Sequence, residues 1–360
     1  MSIKISIDLI SKWPIPVKEK IFIAGPCSVE SEEQIMEIAV QLSRHRITAL
    51  RGGIWKPRTH PGSFEGIGAK GLKWLKNAGR ATGLPVTTEV ATAAHVEQCL
   101  KAGIDLLWIG ARTTTNPFNV QELADALRGT DIPVMIKNPI NPDIELWIGA
   151  IERINKAGVK KIIAIHRGFY TYRRDKYRNQ PIWRIPIELR RQIPQMPIIC
   201  DPSHICGNRK YVFSVAQEAM DFLFDGLMIE SHTDPAAALS DGMQQVTPAY
   251  YGRMIKKLRQ PIVEFAGKEH LQKIELIRSE IDVIDNNLIS LIAKRMEFVR
   301  EIGILKRDNN LPLLQLGRWK QILFTRLQNS RQKQLSRSFI REIFEEIHQE
   351  ALRIQETIKK

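Results

Sequence analysis

Apolar and polar positions repeat as one unit along residues 20–232. Each unit holds a short β-branched or apolar run, a polar or glycine-rich turn, and a segment with the period of an amphipathic helix. Successive apolar runs start about 30 residues apart, which is the length that a parallel strand, its helix and the return connection require. The predicted strands are IFIAG (21–25), TALRGG (48–53), PVTTEV (85–90), DLLWIG (105–110), PVMIKN (133–138), KIIAIHRG (161–168), PIICDPS (197–203) and GLMIES (226–231). Eight such units predict an α/β fold with a (β/α)8 TIM barrel, and not a doubly wound sheet.

After about Arg253 the pattern is helical throughout. From Ile274 to Leu305 the apolar residues recur in steps of three and four, which predicts a long helix with a coiled-coil-like seam. Two further helices are predicted at about 314–329 and 336–358. Because three helices in about 90 residues make a thin core, we expect this part to pair with a second copy of the chain. The predicted domains are a barrel at 1–255, a linker at 256–268 and an all-α three-helix domain at 269–360.

Composition narrows the class of protein. The 43% hydrophobic and 26% charged residues are typical of a folded globular chain. No apolar run approaches the ~18 residues of a membrane-spanning helix, and residues 1–16 lack a signal-peptide core, so we expect a cytoplasmic protein. Four cysteines without a CxxC pair argue against a disulfide scaffold, a zinc ribbon or a thioredoxin site. The net charge of +14 leaves nucleic acid, a membrane surface or small anions as partners.

Charged residues collect at the predicted C-terminal ends of the strands, where barrels hold their catalytic groups. Like charges repel unless an anion lies among them, so this cationic rim predicts a site for phosphate and carboxylate groups. Its six cations are Arg51, Lys56, Arg58, Arg112, Lys137 and Arg167. The strand ends and the loop after the last strand also carry a set of side chains typical of a divalent transition-metal site, which is Cys27, His204, Glu230 and Asp241.

Two other patterns suggest sites that we do not expect. The GxGxxG at 66–71 has no strand feeding directly into it, so we predict a loop ahead of the second helix and not a dinucleotide site. The second pattern resembles a small zinc site and consists of Cys200, Asp201, His204 and Cys206. We expect Cys200 to be a buried strand residue instead.

Seven segments along the chain share the character of one known family: AGPCSVE (24–30), RGGIWKPRT (51–59), IGARTTTNP (109–117), IKN (136–138), HRG (166–168), DPSH (201–204), and IESH followed by LSDGMQQ (229–245). In this order they resemble the 3-deoxy-D-arabino-heptulosonate 7-phosphate (DAHP) synthase family. The resemblance covers nearly all of residues 18–255 and is strongest to the short-core bacterial subclass. Some members of that subclass carry a regulatory domain before the barrel; about 17 residues precede it here, so we expect that form of control to be missing.

The resemblance implies a role for each site residue. One divalent metal ion, which we expect to be Mn²⁺, would be held by Cys27, His204, Glu230 and Asp241. Phosphoenolpyruvate would be bound by Arg51, Lys56, Arg112, Lys137 and Arg167. Erythrose 4-phosphate would be bound by Arg58, Thr59 and Asp201. Lys56 lies one loop from the predicted phosphate site, and we expect it to donate a proton to the alkoxide that forms during condensation.

On the long helix, Arg295 interrupts the apolar seam between Leu291 and Phe298. A guanidinium on such a seam is costly unless it meets an anion. Lys306 is eleven residues further on, close to three helical turns, so it faces the same way. The two cations predict either a pocket for a small anion or a buried ion pair with a glutamate of another helix.

The segment IRSEIDVIDNNLISLIAKRMEFVREIGILK resembles the first helix of the all-helical chorismate mutases, and the resemblance covers roughly 270–357. It implies an intertwined homodimer, with Arg278 reaching into the partner's site. Catalysis would need clamped carboxylates and two donors, Lys306 and Gln355, aimed at the ether oxygen. Gln315, Trp319 and Ala351 depart from two acidic positions and one serine position of the family, so weaker activity or a pure sensor stays open. The chorismate-binding residues would be Arg278, Arg295, Lys306, Arg318 and Gln355.

Together the two resemblances imply a bifunctional enzyme of the shikimate pathway, with synthase activity damped when the mutase domain binds chorismate or prephenate. One alternative is a 3-deoxy-octulosonate 8-phosphate synthase that uses arabinose 5-phosphate, although the KPRT at 56–59 favours the four-carbon aldehyde. A nucleic-acid binder is the non-catalytic alternative. The basic residues are not gathered in one run with interleaved aromatics, so we expect neither nucleic acid nor a membrane as partner.

Overall fold

Apolar runs buried on both faces form the strands of a closed parallel barrel, as such runs predict. The computed structural model describes residues 5–359 except 14, 16, 18, 57–61, 63, 173–175 and 262–267. The strands are β1 (Ile21–Gly25), β2 (Ala49–Arg51), β3 (Val86–Val90), β4 (Leu106–Ile109), β5 (Val134–Lys137), β6 (Ile162–His166), β7 (Ile198–Cys200) and β8 (Gly226–Glu230). They pair in chain order, and β8 closes the barrel on β1 with Gly25 beside Glu230. The predicted barrel is confirmed.

Helices follow the strands around the outside of the barrel, and a separate helical region follows them. Polar caps begin several of them; Ser31 and Thr92, for example, accept from the backbone three residues on. The barrel helices are α1 (Glu32–Ser43), α2 (Lys70–Thr82), α3 (Ala93–Ala102), α4 (Ala111–Thr114), α5 (Pro117–Leu127), α6 (Ile144–Lys156), α7 (Arg184–Gln192), α8 (Pro202–Cys206), α9 (Val212–Asp221) and α10 (Pro248–Lys257). The later helices are α11 (Lys268–Asp308), α12 (Leu316–Gln332) and α13 (Arg337–Lys359).

Alternation of side chains along the strands separates two apolar clusters. Ile21, Ile23 and Trp108 belong to the cluster inside the barrel, whereas Phe22 packs in the layer between strands and helices. Trp13, from the segment before β1, joins the interior cluster. Trp13 therefore packs against the side chains inside the barrel.

The loop and the buried cysteine predicted for the two suspect patterns are both observed. β2 ends at Arg51 and α2 begins at Lys70, so the GxGxxG lies in a loop and the first helical turn, and its Gly66 and Gly68 have positive φ angles of 97° and 74°. Cys200 is fully buried in β7. The predicted β7 is longer than the observed strand because Asp201 caps α8, its side chain accepting from the His204 amide.

The chain divides into two compact units, Met1–Pro261 and Ile262–Lys360. In the second unit α11 and α12 both pack against α13, and the three predicted helices are confirmed. Its small buried cluster contains Met296, Val299 and Ala351. None of the described helices is long and apolar enough to cross a membrane.

The predicted seam of α11 is exposed in the single chain. Ile281, Ile284 and Leu288 are 48%, 56% and 51% exposed. A second stripe of α11 faces α13 and is buried within the chain. It includes Met296 and Val299. The helix therefore has two apolar stripes, and only one of them is covered.

Candidate active sites

Four strand ends of the barrel bring cations and carboxylates together over a buried indole. Arg51, at the end of β2, donates from Nη2 to Glu230 Oε1 at the end of β8, at 3.0 Å. Lys137, at the end of β5, donates from Nζ to Asp201 Oδ2 at 2.9 Å. The guanidinium of Arg51 and the ammonium of Lys137 lie 4.9 Å and 5.8 Å from the centre of the Trp108 ring. The indole face stabilises both cations. We call the site above the indole, where Arg51, Lys137, Asp201 and Glu230 meet, the barrel pocket.

Two donors of Arg51 have no partner within the described part of the chain. The side chain is 1% exposed, and its Nε and Nη1 have no hydrogen-bond partner among the described residues. Burial opposes the charge on Arg51, but Glu230 and Asp201 outweigh it and raise its pKa, so the side chain stays ionised. Buried donors without partners are costly, which indicates that an anion completes their hydrogen bonding.

Lys56 contacts the thiol at the end of β1. Its Nζ lies 2.9 Å from Cys27 Sγ, and the same sulfur lies 3.4 Å from Asp241 Oδ2. Burial, together with Glu230, raises the pKa of the Cys27 thiol to about 12. Burial also works against the charge on Lys56, but Cys27 and Glu230 outweigh it and raise its pKa. Lys56 therefore holds a proton that it can donate.

Asp201 connects two functional side chains. Its Oδ2 accepts from Lys137 and lies 2.8 Å from His204 Nδ1. Burial alone would raise the pKa of Asp201, but His204 and Lys137 hold it well below its usual range. An ionised Asp201 therefore fixes the orientation of both side chains.

In the helical unit, Lys306 and Gln355 form a buried pair. Lys306 Nζ donates to Gln355 Oε1 at 2.9 Å and to the Leu313 carbonyl at 2.6 Å. Arg295 is half-buried, and its Nη1 lies 3.9 Å from Met296 Sδ. Ion pairs within the described residues of this unit include neither Arg295 nor Lys306. We call Arg295, Lys306 and Gln355 the helical pocket; its two cations lack a carboxylate partner within the described chain.

The sequence model of the DAHP synthetase I family matches residues 16–263, well over half of the chain. The chain belongs to the DAHP synthetase I family. A second family, chorismate mutase type II, matches residues 277–356, so this DAHP synthase carries a chorismate mutase domain in its helical unit. The chain is a transferase joined to an isomerase, as the two resemblances imply.

Relatives of this DAHP synthase match mainly the barrel. The phospho-2-dehydro-3-deoxyheptonate aldolase of Thermotoga maritima is 35% identical over 237 residues, covering 66% of this chain and 68% of the relative. A crystal structure of that enzyme matches at 30% identity with a TM-score of 0.62, covering 71% of this chain and 74% of the other. The 2-dehydro-3-deoxyphosphooctonate aldolase of Geotalea daltonii is more distant, at 26% identity over 66% of this chain and 91% of the relative.

The four predicted metal ligands of the DAHP synthase lie in the barrel pocket as two close pairs. Cys27 Sγ and Asp241 Oδ2 are 3.4 Å apart, and His204 Nε2 and Glu230 Oε1 are 3.7 Å apart. As they stand, the described residues include no group of three or more Cys, His, Asp or Glu side chains that could hold an ion. Burial would raise the pKa of Asp241, but the charges of His204 and Arg178 lower it. A thiol, an imidazole and two carboxylates, all in one pocket, fit a divalent transition metal in chemistry.

The remaining predicted cations differ in burial. Arg167 is half-buried beside Asp201, and burial lowers its pKa to about 10, which leaves it charged at neutral pH. Arg112 is exposed on α4. Arg58 and Thr59 lie outside the described residues. In the mutase domain, Arg278 is exposed and paired with Glu275, and Arg318 is exposed and donates to Gln321 at 2.9 Å.

Sequence reasoning missed the side chains that orient the predicted ligands. Gln244 Nε2 donates to Glu230 Oε2 at 2.7 Å, and Arg178 Nη1 donates to Asp241 Oδ1 and to Gln244 Oε1, each at 3.1 Å. Asp241 itself has a φ of 47°, in the left-handed region that aspartate tolerates better than most residues. Gln244 lies within the LSDGMQQ segment, and the family resemblance of that segment was a signal that could have identified it. Arg178 lies in an irregular loop, where no periodicity marks it.

Proposed function

We propose that the barrel condenses phosphoenolpyruvate with erythrose 4-phosphate to give DAHP and phosphate in a metal-dependent reaction. The observation that carries this proposal is the pair of unused, buried donors of Arg51. Phosphoenolpyruvate bears a phosphate and a carboxylate, and holding both takes several Arg and Lys donors in fixed geometry. Lys56, Lys137 and Arg167 supply further charge, with Arg112 nearer the solvent.

In this proposal Cys27, His204, Glu230 and Asp241 hold the divalent ion, which we expect to be Mn²⁺. When bound, the ion polarises the aldehyde of erythrose 4-phosphate. The cationic side chains orient the enol so that its C3 attacks the aldehyde carbon. Lys56 donates its proton to the aldehyde oxygen as the carbon–carbon bond forms. Water then adds to C2 and phosphate leaves. Arg58 and Thr59 bind the phosphate of erythrose 4-phosphate, and Asp201 is a further binding residue for that substrate.

Phosphate release separates the two possible aldehydes. We expect rapid release with erythrose 4-phosphate and at least about a hundredfold lower kcat/KM with arabinose 5-phosphate, because a pocket built for a four-carbon chain misplaces a longer one. Reactions without phosphoenolpyruvate give the background. Faster release with arabinose 5-phosphate would establish the octulosonate alternative. The greater distance of the octonate aldolase relatives favours the DAHP reaction.

We also propose that the helical unit rearranges chorismate to prephenate. This conversion is unimolecular, so it needs clamped carboxylates and donors aimed at the ether oxygen, and no covalent step. Lys306 and Gln355 are buried together, and neither Lys306 nor Arg295 has a carboxylate partner in the described chain. The substrate's carboxylates would supply the missing charge to Arg295, Lys306 and Arg318, with Arg278 contributed by a second copy.

Arg295→Ala distinguishes separate sites from dependent ones. We expect at least a tenfold loss of mutase kcat/KM with unchanged synthase activity, because one charge-assisted contact is removed from one domain. Joint loss of both activities would show that the domains depend on each other. Wild-type protein that binds chorismate in calorimetry without converting it would establish the sensor alternative.

We propose that the protein is a homodimer through the exposed seam of α11. Ile281, Ile284 and Leu288 present a row of large apolar side chains to solvent in the single chain, which is unusual for a stable surface. Ile281→Glu should shift the protein to monomers in sedimentation velocity, because it buries a charge in the interface. Asn286→Glu, on the opposite face of α11, is the matched control and should stay dimeric. A monomeric wild type would contradict the proposal.

We propose that prephenate bound to the mutase domain lowers synthase activity, since a single chain holds both domains. Synthase rate should fall as prephenate rises, and Arg295→Ala should make the rate insensitive to prephenate. A flat wild-type rate, with prephenate binding visible in calorimetry, would refute feedback.

Domain borders and location complete the proposal. We place the synthase at 1–255, the linker at 256–268 and the mutase at 269–360; the helices on either side end at Lys257 and begin at Lys268. The thiols of the chain are free and buried, which fits a reducing compartment such as the cytoplasm. Limited proteolysis cutting first between 256 and 268 would support these borders.

A further inference from the structure

A histidine of α13 has an unused ring nitrogen. His348 is stacked on Trp319 of α12, with ring centres 4.0 Å apart and planes 8° from parallel. Its Nε2 is buried and has no hydrogen-bond partner among the described residues. A buried polar atom left without a partner costs free energy, so its presence points to a ligand that pairs with it.

The position of His348 places that nitrogen at the helical pocket. His348 and Gln355 are seven residues apart, about two helical turns, so they share one face of α13. Gln355 on that face bonds Lys306. Burial, followed by the positive charges of Arg295 and Lys306, lowers the pKa of His348. The ring is therefore neutral at pH 7 and lies close enough to both cations to be affected by them.

We propose that His348 is a substrate-binding residue of the mutase site, and that its Nε2 hydrogen-bonds the ring hydroxyl of chorismate. This inference rests on the mutase function proposed above. Chorismate offers two carboxylates, an ether oxygen and one hydroxyl. Arginine and lysine match the carboxylates, and Lys306 with Gln355 matches the ether oxygen, which leaves the hydroxyl.

A neutral imidazole suits that remaining group. A hydroxyl both donates and accepts, so it can pair with Nε2 in either tautomer of the ring. The stack on Trp319 holds the imidazole plane, and so fixes the direction in which Nε2 points. The tryptophan therefore acts through the histidine, as a positioning residue.

Two variants and two substrates test the inference. His348→Phe keeps a ring to stack on Trp319 and removes the nitrogen, whereas His348→Gln keeps a side chain that can donate and accept. With chorismate, His348→Phe should raise KM about tenfold, the loss of one hydrogen bond, and His348→Gln should recover most of it. With the chorismate analogue in which hydrogen replaces the ring hydroxyl, wild type and His348→Phe should have the same KM.

Each possible result either supports or overturns the proposed role of His348. Equal losses with both substrates, or no loss with chorismate, would overturn the role of His348 while leaving the mutase function intact. If the wild type does not convert chorismate, the mutase function is wrong, and calorimetric binding of chorismate replaces KM. Unchanged chorismate affinity in His348→Phe, or no binding to the wild type, would then overturn the inference as well. Unchanged synthase activity and helical content in each variant serve as the folding control.

Discussion

The barrel pocket and the helical pocket both gather cations for anionic substrates, but they stabilise those cations differently. In the barrel, Arg51 and Lys137 each meet a buried carboxylate from another strand end. In the helical unit, the hydrogen bonds of Lys306 within the described residues go to neutral oxygens, and Arg295 contacts a thioether. The nearby carboxylates raise the pKa of Arg51, whereas burial lowers the pKa of Lys306 and Arg295. The barrel pocket carries its own counter-charge, and in the proposed mutase reaction the helical pocket would take its counter-charge from the substrate.

This difference separates stability from activity in a testable way. Where a cation is tied to a buried carboxylate, its removal leaves an uncompensated charge and weakens the fold. Where a cation meets neutral acceptors, its removal costs little stability and mainly affects binding. Changes in the barrel pocket should therefore affect folding and synthesis together, and changes in the helical pocket, with no prephenate present, should affect the mutase alone.

Metal removal should have the largest effect. A chelator should abolish synthase activity, by about a thousandfold or more, because Lewis-acid activation supplies several kcal/mol to the transition state. Mutase activity of the same sample should be unchanged, since its rearrangement needs only charged and polar side chains. Both assays are run before chelation, after it, and after Mn²⁺ is added back. Full synthase activity in metal-free protein, shown by elemental analysis, would contradict the prediction.

Two arginine–glutamate pairs provide a matched comparison within the barrel. Arg51–Glu230 is buried at 3.0 Å, and Arg46–Glu19 is exposed at 2.9 Å. Arg51→Ala should lower the free energy of unfolding by about 3–5 kcal/mol, whereas Arg46→Ala should lower it by less than about 1 kcal/mol. Arg51→Ala should also reduce synthase kcat/KM at least a hundredfold. Urea denaturation followed by synthase assays measures both quantities, and equal stability losses would contradict the proposed difference.

Lys306→Met tests the other half of the comparison. Mutase kcat should fall about a hundredfold, because one preorganised donor to the developing charge is lost. The free energy of unfolding should change by less than about 1.5 kcal/mol, since only neutral acceptors lose a partner. Lys320→Met, an exposed lysine on α12, is the control and should leave both quantities unchanged. A stability loss as large as that of Arg51→Ala would show that the two pockets are built alike.

The barrel was predictable from sequence because parallel strands buried on both faces appear as continuous apolar runs at regular spacing. The cations at the strand ends followed from that register, as Arg51 and Lys137 show. The residues that orient the predicted metal ligands could not be predicted from that register. Arg178 and Asp241 are 63 residues apart in the sequence and meet only because two loops fold over the same pocket. No local pattern encodes such a contact.

The helical unit was predictable as helices but not as surfaces. The steps of three and four found α11 and placed its seam at Ile281, Ile284 and Leu288, yet that stripe is exposed in the single chain. Met296 and Val299, on a different stripe, pack against α13 instead. A helix with two apolar stripes has two partners, and periodicity does not say which of them belongs to the same chain. His348 likewise drew no attention, because a single histidine on an amphipathic helix carries no pattern.

Ala351→Ser should have the smallest effect and is the finest test of the helical pocket. Ala351 packs with Met296 and Val299 on the face of α13 that also carries Gln355. A serine there can bond back to the preceding turn, so the free energy of unfolding should fall by less than about 1 kcal/mol. If the substrate supplies the counter-charge of this pocket, as proposed, an added hydroxyl should lower the chorismate KM about threefold.

Ala351→Cys separates hydrogen bonding from size, since a thiol adds similar bulk but is a weak donor. The cysteine variant should therefore keep the wild-type KM, and steady-state kinetics at matched protein concentration measures all three proteins. If serine and cysteine shift KM equally, packing against Met296 and Val299 sets the shape of the pocket. That result would contradict the proposed difference between the two pockets, in which the helical pocket depends on polar contacts with its substrate.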